Sequence, residues 1–121
     1  MNESLDIAHW QKVIDEFALE RDWDQFHNPK NLAMALTVEA SELLQEFQWL
    51  TPDAASELEK DPKKWANVQD ELADIMVYLL RIADKLNIDL NTALRQKMAK
   101  NRQKYPADKV RGSAKKYNEY E

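Results

Sequence analysis

The 121-residue chain contains no cysteine and a single glycine, Gly112. Without cysteine, the chain can form no disulfide, no zinc–thiolate site and no thiol nucleophile. The phosphate-binding loops of P-loop and Rossmann proteins need several glycines, so these nucleotide-binding classes are excluded as well. If the chain handles phosphate groups, a metal ion and basic side chains must hold them.

Long apolar runs and an excess of positive charge are also lacking. No apolar stretch reaches the ~20 residues that a membrane-spanning helix needs, and the acidic start MNESLDIAHWQK does not resemble a signal peptide. The formal net charge of −5 argues against a protein that wraps a nucleic acid backbone. We therefore expect a cytoplasmic protein with neither a membrane nor a nucleic acid polymer as its partner.

Helix start signals and helical spacing of apolar residues account for most of the chain. Three N-capping residues are each followed by a proline, which suits the first turn of a helix: Asn28-Pro29, Thr51-Pro52 and Asp61-Pro62. The pattern predicts helices over about 4–21, 29–50, 52–60, 62–87 and 89–105. The predicted fold class is all-α, with a protomer of the four-helix-bundle type.

We expect residues 1–105 to form the helical domain and residues 106–121 to form an irregular tail. The tail holds the glycine and several basic residues, so it could cover a site or a neighbouring subunit, or could be a frayed terminus. The long helices are apolar over wider arcs than one partner helix would cover. This predicts a homo-oligomer, either a dimer or a tetramer.

Two carboxylate pairs lie inside the apolar stripes of two predicted helices. Because a helix turns about 100° per residue, Glu39 and Glu42 lie on the same side as Leu43. Glu71 and Asp74 repeat this arrangement 32 residues later. Carboxylates that face a core are costly unless they are paired, and four together would also repel one another. A hard divalent cation, which prefers oxygen ligands, would offset both penalties.

Two alternatives compete with the metal site. The carboxylates could be ordinary helix-surface residues that form salt bridges in a non-catalytic helical oligomer, acting as an interaction module. A di-iron carboxylate bundle is a second alternative, but it requires two Glu-x-x-His motifs. Neither His9 nor His27 follows a glutamate by three residues, so the sequence does not fit that class.

Further polar residues fall on inward faces of the predicted helices. Lys97 and Asn101 continue an apolar stripe of the last helix, where Lys97 could bind phosphate or form a salt bridge. Tyr78, one turn after Asp74, could bond a sugar or phosphate oxygen, or could be a core tyrosine.

Aromatic residues flank the first carboxylate helix, and their faces could stack on a nucleobase or pack in a core. They are Trp23, Phe26, His27 and Trp49.

Beyond the acidic pattern, several segments resemble the all-α NTP pyrophosphohydrolases, the MazG-like superfamily, and within it the dCTP pyrophosphatase branch. The pattern is E-x-x-E, 28 intervening residues, then E-x-x-D. It is joined by the segments WDQFH, EFQW and NRQKYP. The resemblance extends over roughly residues 14–118.

The resemblance implies Mg²⁺-dependent hydrolysis of a nucleoside triphosphate, dCTP or a related dNTP, to the monophosphate and pyrophosphate, with Mn²⁺ as a substitute metal. It also implies a dimeric or tetrameric helical assembly. The metal ligands would be Glu39, Glu42, Glu71 and Asp74. Glu39 or Glu42 would orient or deprotonate the attacking water.

The resemblance also implies substrate contacts, and it shows one departure. Positions that contact phosphate or nucleoside correspond here to Trp23, Trp49, Tyr78, Lys97 and Asn101. A histidine near the base in some relatives corresponds to Ile14, which leaves base preference open. Glu46, close to the first acidic pair, is expected to be a peripheral participant.

Overall fold

The computed structural model describes residues 3–114 and residue 119. Helices account for the regular structure of this part of the chain: α1 (Ile7–Glu20), α2 (Pro29–Phe47), α3 (Pro52–Ser56), α4 (Pro62–Lys85), α5 (Leu90–Lys104) and α6 (Ala107–Val110). Single 3-10 turns occupy Asp24–Phe26 and Leu58–Lys60. No strand occurs among the described residues, which confirms the all-α fold class. None of the described helices is long and apolar enough to cross a bilayer.

Four of the five predicted helix starts are confirmed by their capping hydrogen bonds, whereas α1 begins at Ile7, after the cap Asp6, and not at about residue 4. The Asn28 side chain accepts from the backbone N–H of Asn31 at 2.9 Å, and Thr51 caps α3 in the same way. Asp61 and Asp89 cap α4 and α5. Each side chain satisfies a donor that the first helical turn leaves free.

Helix ends were predicted less accurately, because they depend on contacts that the sequence pattern does not show. The predicted helix over 52–60 is divided into α3 and the second 3-10 turn. The expectation of an irregular tail is wrong for Ala107–Val110, where the Pro106 carbonyl accepts from the N–H groups of Lys109 and Val110. Residues 115–118 and 120–121 lie outside the described residues.

The chain divides into two compact units, Met1–Asn87 and Ile88–Glu121. In the first unit α4 packs along α2 and also contacts α1. Among the described residues, the buried apolar side chains all belong to this unit: Ala18, Leu32, Leu58, Val68, Leu80 and Ala83. Leu32 and Val68 belong to the predicted carboxylate-bearing stripes, so the phase of both helices is confirmed. The four-helix bundle and the boundary at residue 105 stay predictions.

Candidate metal centre and adjoining groove

Carboxylates from α2 and α4 converge where these two helices pack together. Glu39 and Glu42 of α2 and Glu71 of α4 each contribute one oxygen, and these three oxygens lie within 4.8 Å of one another. All three residues are half-buried. The i, i+3 spacing turns both glutamates of α2 towards α4, whose own apolar stripe carries Glu71. The three could hold a metal ion.

Two oxygens of this group have no hydrogen-bond donor. Glu39 Oε2 and Glu71 Oε2 are buried and have no partner in the described part of the chain. An ionised carboxylate can only accept hydrogen bonds, and a buried acceptor without a donor destabilises the fold. The site therefore needs a proton or a cation.

The charge state of Glu39 reflects this need. Its pKa is raised from 4.5 to about 7, foremost because protonated Glu39 can donate a hydrogen bond to Glu71. Burial and the nearby Glu42 carboxylate raise the pKa further. In the absence of a cation, a proton on Glu39 thus reduces the repulsion among the carboxylates, as a bound cation would.

Asp74 does not join the three glutamates. It is exposed and lines a neighbouring groove, and it is not a member of the 4.8 Å group. Three residues after Glu71, its side chain is rotated by about 60° around α4. The structure therefore brings together three of the four predicted ligands, and a metal-binding role for Asp74 stays a prediction.

Glu46 is engaged by a lysine of α4. Lys64 Nζ lies 3.1 Å from a Glu46 carboxylate oxygen and 2.9 Å from the Glu46 backbone oxygen. The bridge is partly buried, since Lys64 and Glu46 side chains are 28% and 22% exposed. The negative charge of Glu46 is therefore paired with Lys64, and this salt bridge joins α2 to α4, the two helices that carry the carboxylate group.

A groove of about 530 Å³ lies between α1, the first 3-10 turn and α4. Its aromatic wall includes Trp10, Phe17 and Trp23, and the Phe17 and Trp23 rings meet edge-on with centroids 5.7 Å apart. Ile14 also lines it. The groove can accept a flat apolar group.

Polar residues on the α4 side connect the groove to the carboxylate group. Asp74 and Tyr78 both line it. Burial raises the pKa of the Tyr78 hydroxyl, and the negative charges of Glu39 and Asp74 raise it further. Tyr78 therefore lines the groove while its hydroxyl is influenced by the charge of Glu39, and its contact with a substrate stays a prediction.

The remaining predicted substrate residues are placed in different regions. Trp23 and His27 line the groove, whereas Trp49 follows α2 and is 88% exposed. Lys97 and Asn101 belong to α5 in the second unit, where Asn101 Nδ2 contacts Met98 Sδ at 3.9 Å. Substrate binding by these residues stays a prediction.

The sequence patterns do not point to Arg81, which is only 2% exposed. Arg81 follows Tyr78 by three residues and Asp74 by seven, so helical spacing places it on the same side of α4. Its Nη1 and Nη2 donate to Asp15 at 2.6 Å and to Asp24 at 2.8 Å. This helical spacing is the one sequence pattern that relates Arg81 to the groove residues of α4. Arginine side chains are usually exposed, however, so the spacing alone does not predict a buried guanidinium.

The fold and the site together define an all-helical protein in which carboxylates from two helices form a candidate cation site beside an aromatic groove. A family model described as the MazG-like family matches residues 34–120. The chain belongs to this family, as its sequence segments predicted.

Similar proteins include two nucleotide pyrophosphatases and a third pyrophosphatase whose crystal structure is known. The chain is 45% identical to dCTP pyrophosphatase 1 of Rattus norvegicus and 44% identical to that of Homo sapiens, over 109 residues. This is 90% of the chain but 64% of each relative's length. A pyrophosphatase from Archaeoglobus fulgidus superposes with a TM-score of 0.74 at 35% identity, over 88% of this chain and 97% of that one.

Proposed function

We propose that this protein hydrolyses dCTP, or a related nucleoside triphosphate, to the monophosphate and pyrophosphate. The observation that carries the proposal is the convergence of Glu39, Glu42 and Glu71, with two buried oxygens that lack donors. The two relatives named dCTP pyrophosphatase 1 support the choice of substrate. A cytoplasmic location stays a prediction.

The three carboxylates suit Mg²⁺. Oxygens on opposite sides of an octahedral Mg²⁺ ion lie about 4 Å apart. Oxygens within 4.8 Å of one another could reach this spacing through small side-chain rotations. Mn²⁺ accepts the same oxygen ligands and would substitute. Asp74 would add a fourth carboxylate from the groove side.

In the proposed reaction, a water oxygen attacks the α-phosphorus while the bond from the α-phosphorus to the α,β-bridging oxygen breaks. A bound divalent cation would neutralise charge on the leaving oxygen and lower the pKa of a bound water. Glu39 or Glu42 would orient the water and accept its proton. Lys97 would hold the departing pyrophosphate.

The aromatic groove would hold the nucleobase. Base stacking on an aromatic side chain contributes about 1–3 kcal/mol per base. Trp23 is 46% exposed on the groove wall. Tyr78, between the groove and the three glutamates, would contact the sugar or a phosphate oxygen.

We further propose that the chain assembles into a homodimer or homotetramer. Four apolar residues at helical spacing leave an exposed stripe along α4: Trp65, Leu72, Met76 and Leu79. Exposed apolar stripes of this kind favour association. Light scattering should give two or four times the 14.2 kDa chain mass, and Leu72→Glu should lower it. A monomeric wild type would contradict the assembly.

The activity is tested with purified protein, Mg²⁺ and a panel of dNTPs and NTPs, by measuring pyrophosphate release. Glu39→Gln should reduce turnover at least ~100-fold, because it removes a charge that acts at the reacting centre. Glu59→Gln, a change at an exposed glutamate of the second 3-10 turn, is the matched control and should have no effect. No release from any nucleotide would favour the non-catalytic interaction module.

A further inference from the structure

The buried Arg81 guanidinium connects three segments of the first unit. Its Nη1 and Nη2 donate to Asp15 of α1 and to Asp24 of the first 3-10 turn, and its Nε donates to His27 Nδ1 at 3.2 Å. Asp84 lies 3.9 Å from Nη1. The guanidinium is planar and permanently charged, so these bonds fix both its orientation and that of the His27 ring.

The bond to Arg81 decides which His27 nitrogen carries the proton. Because arginine can only donate, Nδ1 must accept and carries no proton. A neutral ring then has its proton on Nε2. Among the described residues Nε2 has no hydrogen-bond partner, and it is not closed off from solvent. The ring lines the groove, so it can offer an N–H donor to a ligand there.

Burial and the positive charges near His27 both favour the neutral ring. Burial lowers its pKa below 6.5, and the positive charges of Arg81 and Lys85 lower it further. Asp24 opposes them, but its carboxylate is already hydrogen-bonded to Lys85 and Arg81. Asp15 of α1 and Asp84 of α4 lie 2.6 Å and 3.9 Å from the guanidinium Nη1.

We propose that Arg81 is a positioning residue that fixes His27 as the Nε2–H tautomer, so that His27 reads a hydrogen-bond acceptor on the nucleobase. The acceptor would be a carbonyl oxygen or an unprotonated ring nitrogen. This inference rests on the proposed function, because it specifies which part of the nucleotide the groove recognises. In this proposal, His27 provides specificity for the base through a neutral N–H donor. The charged residues of the candidate metal centre act on the phosphates instead.

The tautomer is tested directly, because the chain contains only two histidines. A long-range ¹H–¹⁵N correlation spectrum of the labelled protein shows both imidazoles, and His27→Phe assigns them. We expect protonated Nε2 and unprotonated Nδ1 for His27 at pH 7, with exposed His9 as the reference in the same spectrum. A proton on Nδ1, or an imidazolium at pH 7, would overturn the proposal.

Recognition of the base is tested in the same spectrum with Mg²⁺ and α,β-imido-dCTP, which resists cleavage at the proposed bond. The His27 Nε2–H resonance should shift with this analogue, and should not shift with abasic deoxyribose triphosphate. Saturation with the analogue is judged from the other resonances that shift. If the His27 Nε2–H resonance does not shift at saturation, the proposed role of His27 in base recognition is overturned, whether or not the protein is an enzyme. In Arg81→Lys the ring should lose its single tautomer; if that variant does not fold, the wild-type spectra still decide.

Kinetics separate this inference from the proposed function. His27→Phe should raise KM for dCTP about 3- to 10-fold, the effect of one neutral hydrogen bond. Its kcat/KM for dCTP should fall by that factor relative to its kcat/KM for the abasic triphosphate. His9→Phe is the matched control. Equal losses on both substrates would contradict base reading, whereas a wild type that cleaves neither would contradict the proposed function alone.

Discussion

The carboxylates of Glu39 and Glu71, on two different helices, lie together with one buried oxygen each that lacks a hydrogen-bond donor. Ionised, they repel each other and remain unpaired; protonated, Glu39 can donate to Glu71. The pKa of Glu39, raised from 4.5 to about 7, reflects this relationship. Stability, metal binding and activity should therefore all respond to the charge at this contact.

Metal binding should stabilise the fold. Mg²⁺ at 100 times its Kd should add about 2.7 kcal/mol to the free energy of unfolding, because it binds only the folded state. Thermal unfolding with Mg²⁺ and with EDTA measures this gain. Glu71→Gln should abolish it and Glu59→Gln should preserve it. Equal melting temperatures of the wild type in Mg²⁺ and EDTA would contradict a metal site.

The metal-free protein should lose stability as the pH rises through about 7. Because the pKa of Glu39 is higher in the folded state, the folded protein binds the extra proton. That contribution is fully present below 4.5 and is lost as the pH approaches and passes about 7. Urea unfolding in EDTA, compared between wild type and Glu39→Gln, isolates it. The comparison cancels the opposite contribution of His27, whose lowered pKa favours the fold at higher pH.

The same proton should compete with the metal. Mg²⁺ must displace it from Glu39, so affinity should decline as the pH is lowered through about 7. Titration calorimetry in two buffers of different ionisation enthalpy counts the protons released. A pH-independent affinity without proton release would show that Glu39 is not a ligand.

Asp74→Asn should separate catalysis from stability. Its carboxylate is exposed and outside the buried group, so the substitution should change the free energy of unfolding by less than about 0.5 kcal/mol. Turnover of dCTP should nevertheless decrease at least ~100-fold if Asp74 completes the metal site when substrate binds. Steady-state kinetics beside urea unfolding tests both. Unchanged turnover would remove Asp74 from the ligand set.

The Lys64–Glu46 bridge should contribute more to stability than the Lys60–Glu57 bridge. Lys64 and Glu46 are 28% and 22% exposed, against 70% and 55% for Lys60 and Glu57. Lys64→Met should lower the free energy of unfolding by about 1 kcal/mol, since it also leaves the Glu46 backbone oxygen without that donor. Lys60→Met, the matched control, should cost less than about 0.5 kcal/mol. Equal effects would mean that burial does not strengthen the inner bridge.

The tertiary structure also explains why Arg81 was not found from the sequence. Its hydrogen bond to Asp15 joins residues 66 positions apart. Helical spacing places Arg81 on the side of Tyr78, but burial of a guanidinium depends on which acidic groups other segments bring to it. Neither Asp15 nor Asp24 lies in a pattern that marks it as a partner of α4.

By itself the sequence determined the helices, their capped starts and the inward face that carries Glu39, Glu42 and Glu71. Caps and the turn of about 100° per residue involve only near neighbours in the chain, so local patterns encode them. Only the tertiary structure decided that three carboxylates converge and Asp74 does not, and that the pKa of Glu39 is raised to about 7. Those properties depend on how α2 and α4 pack, because charge–charge energies vary with distance and burial.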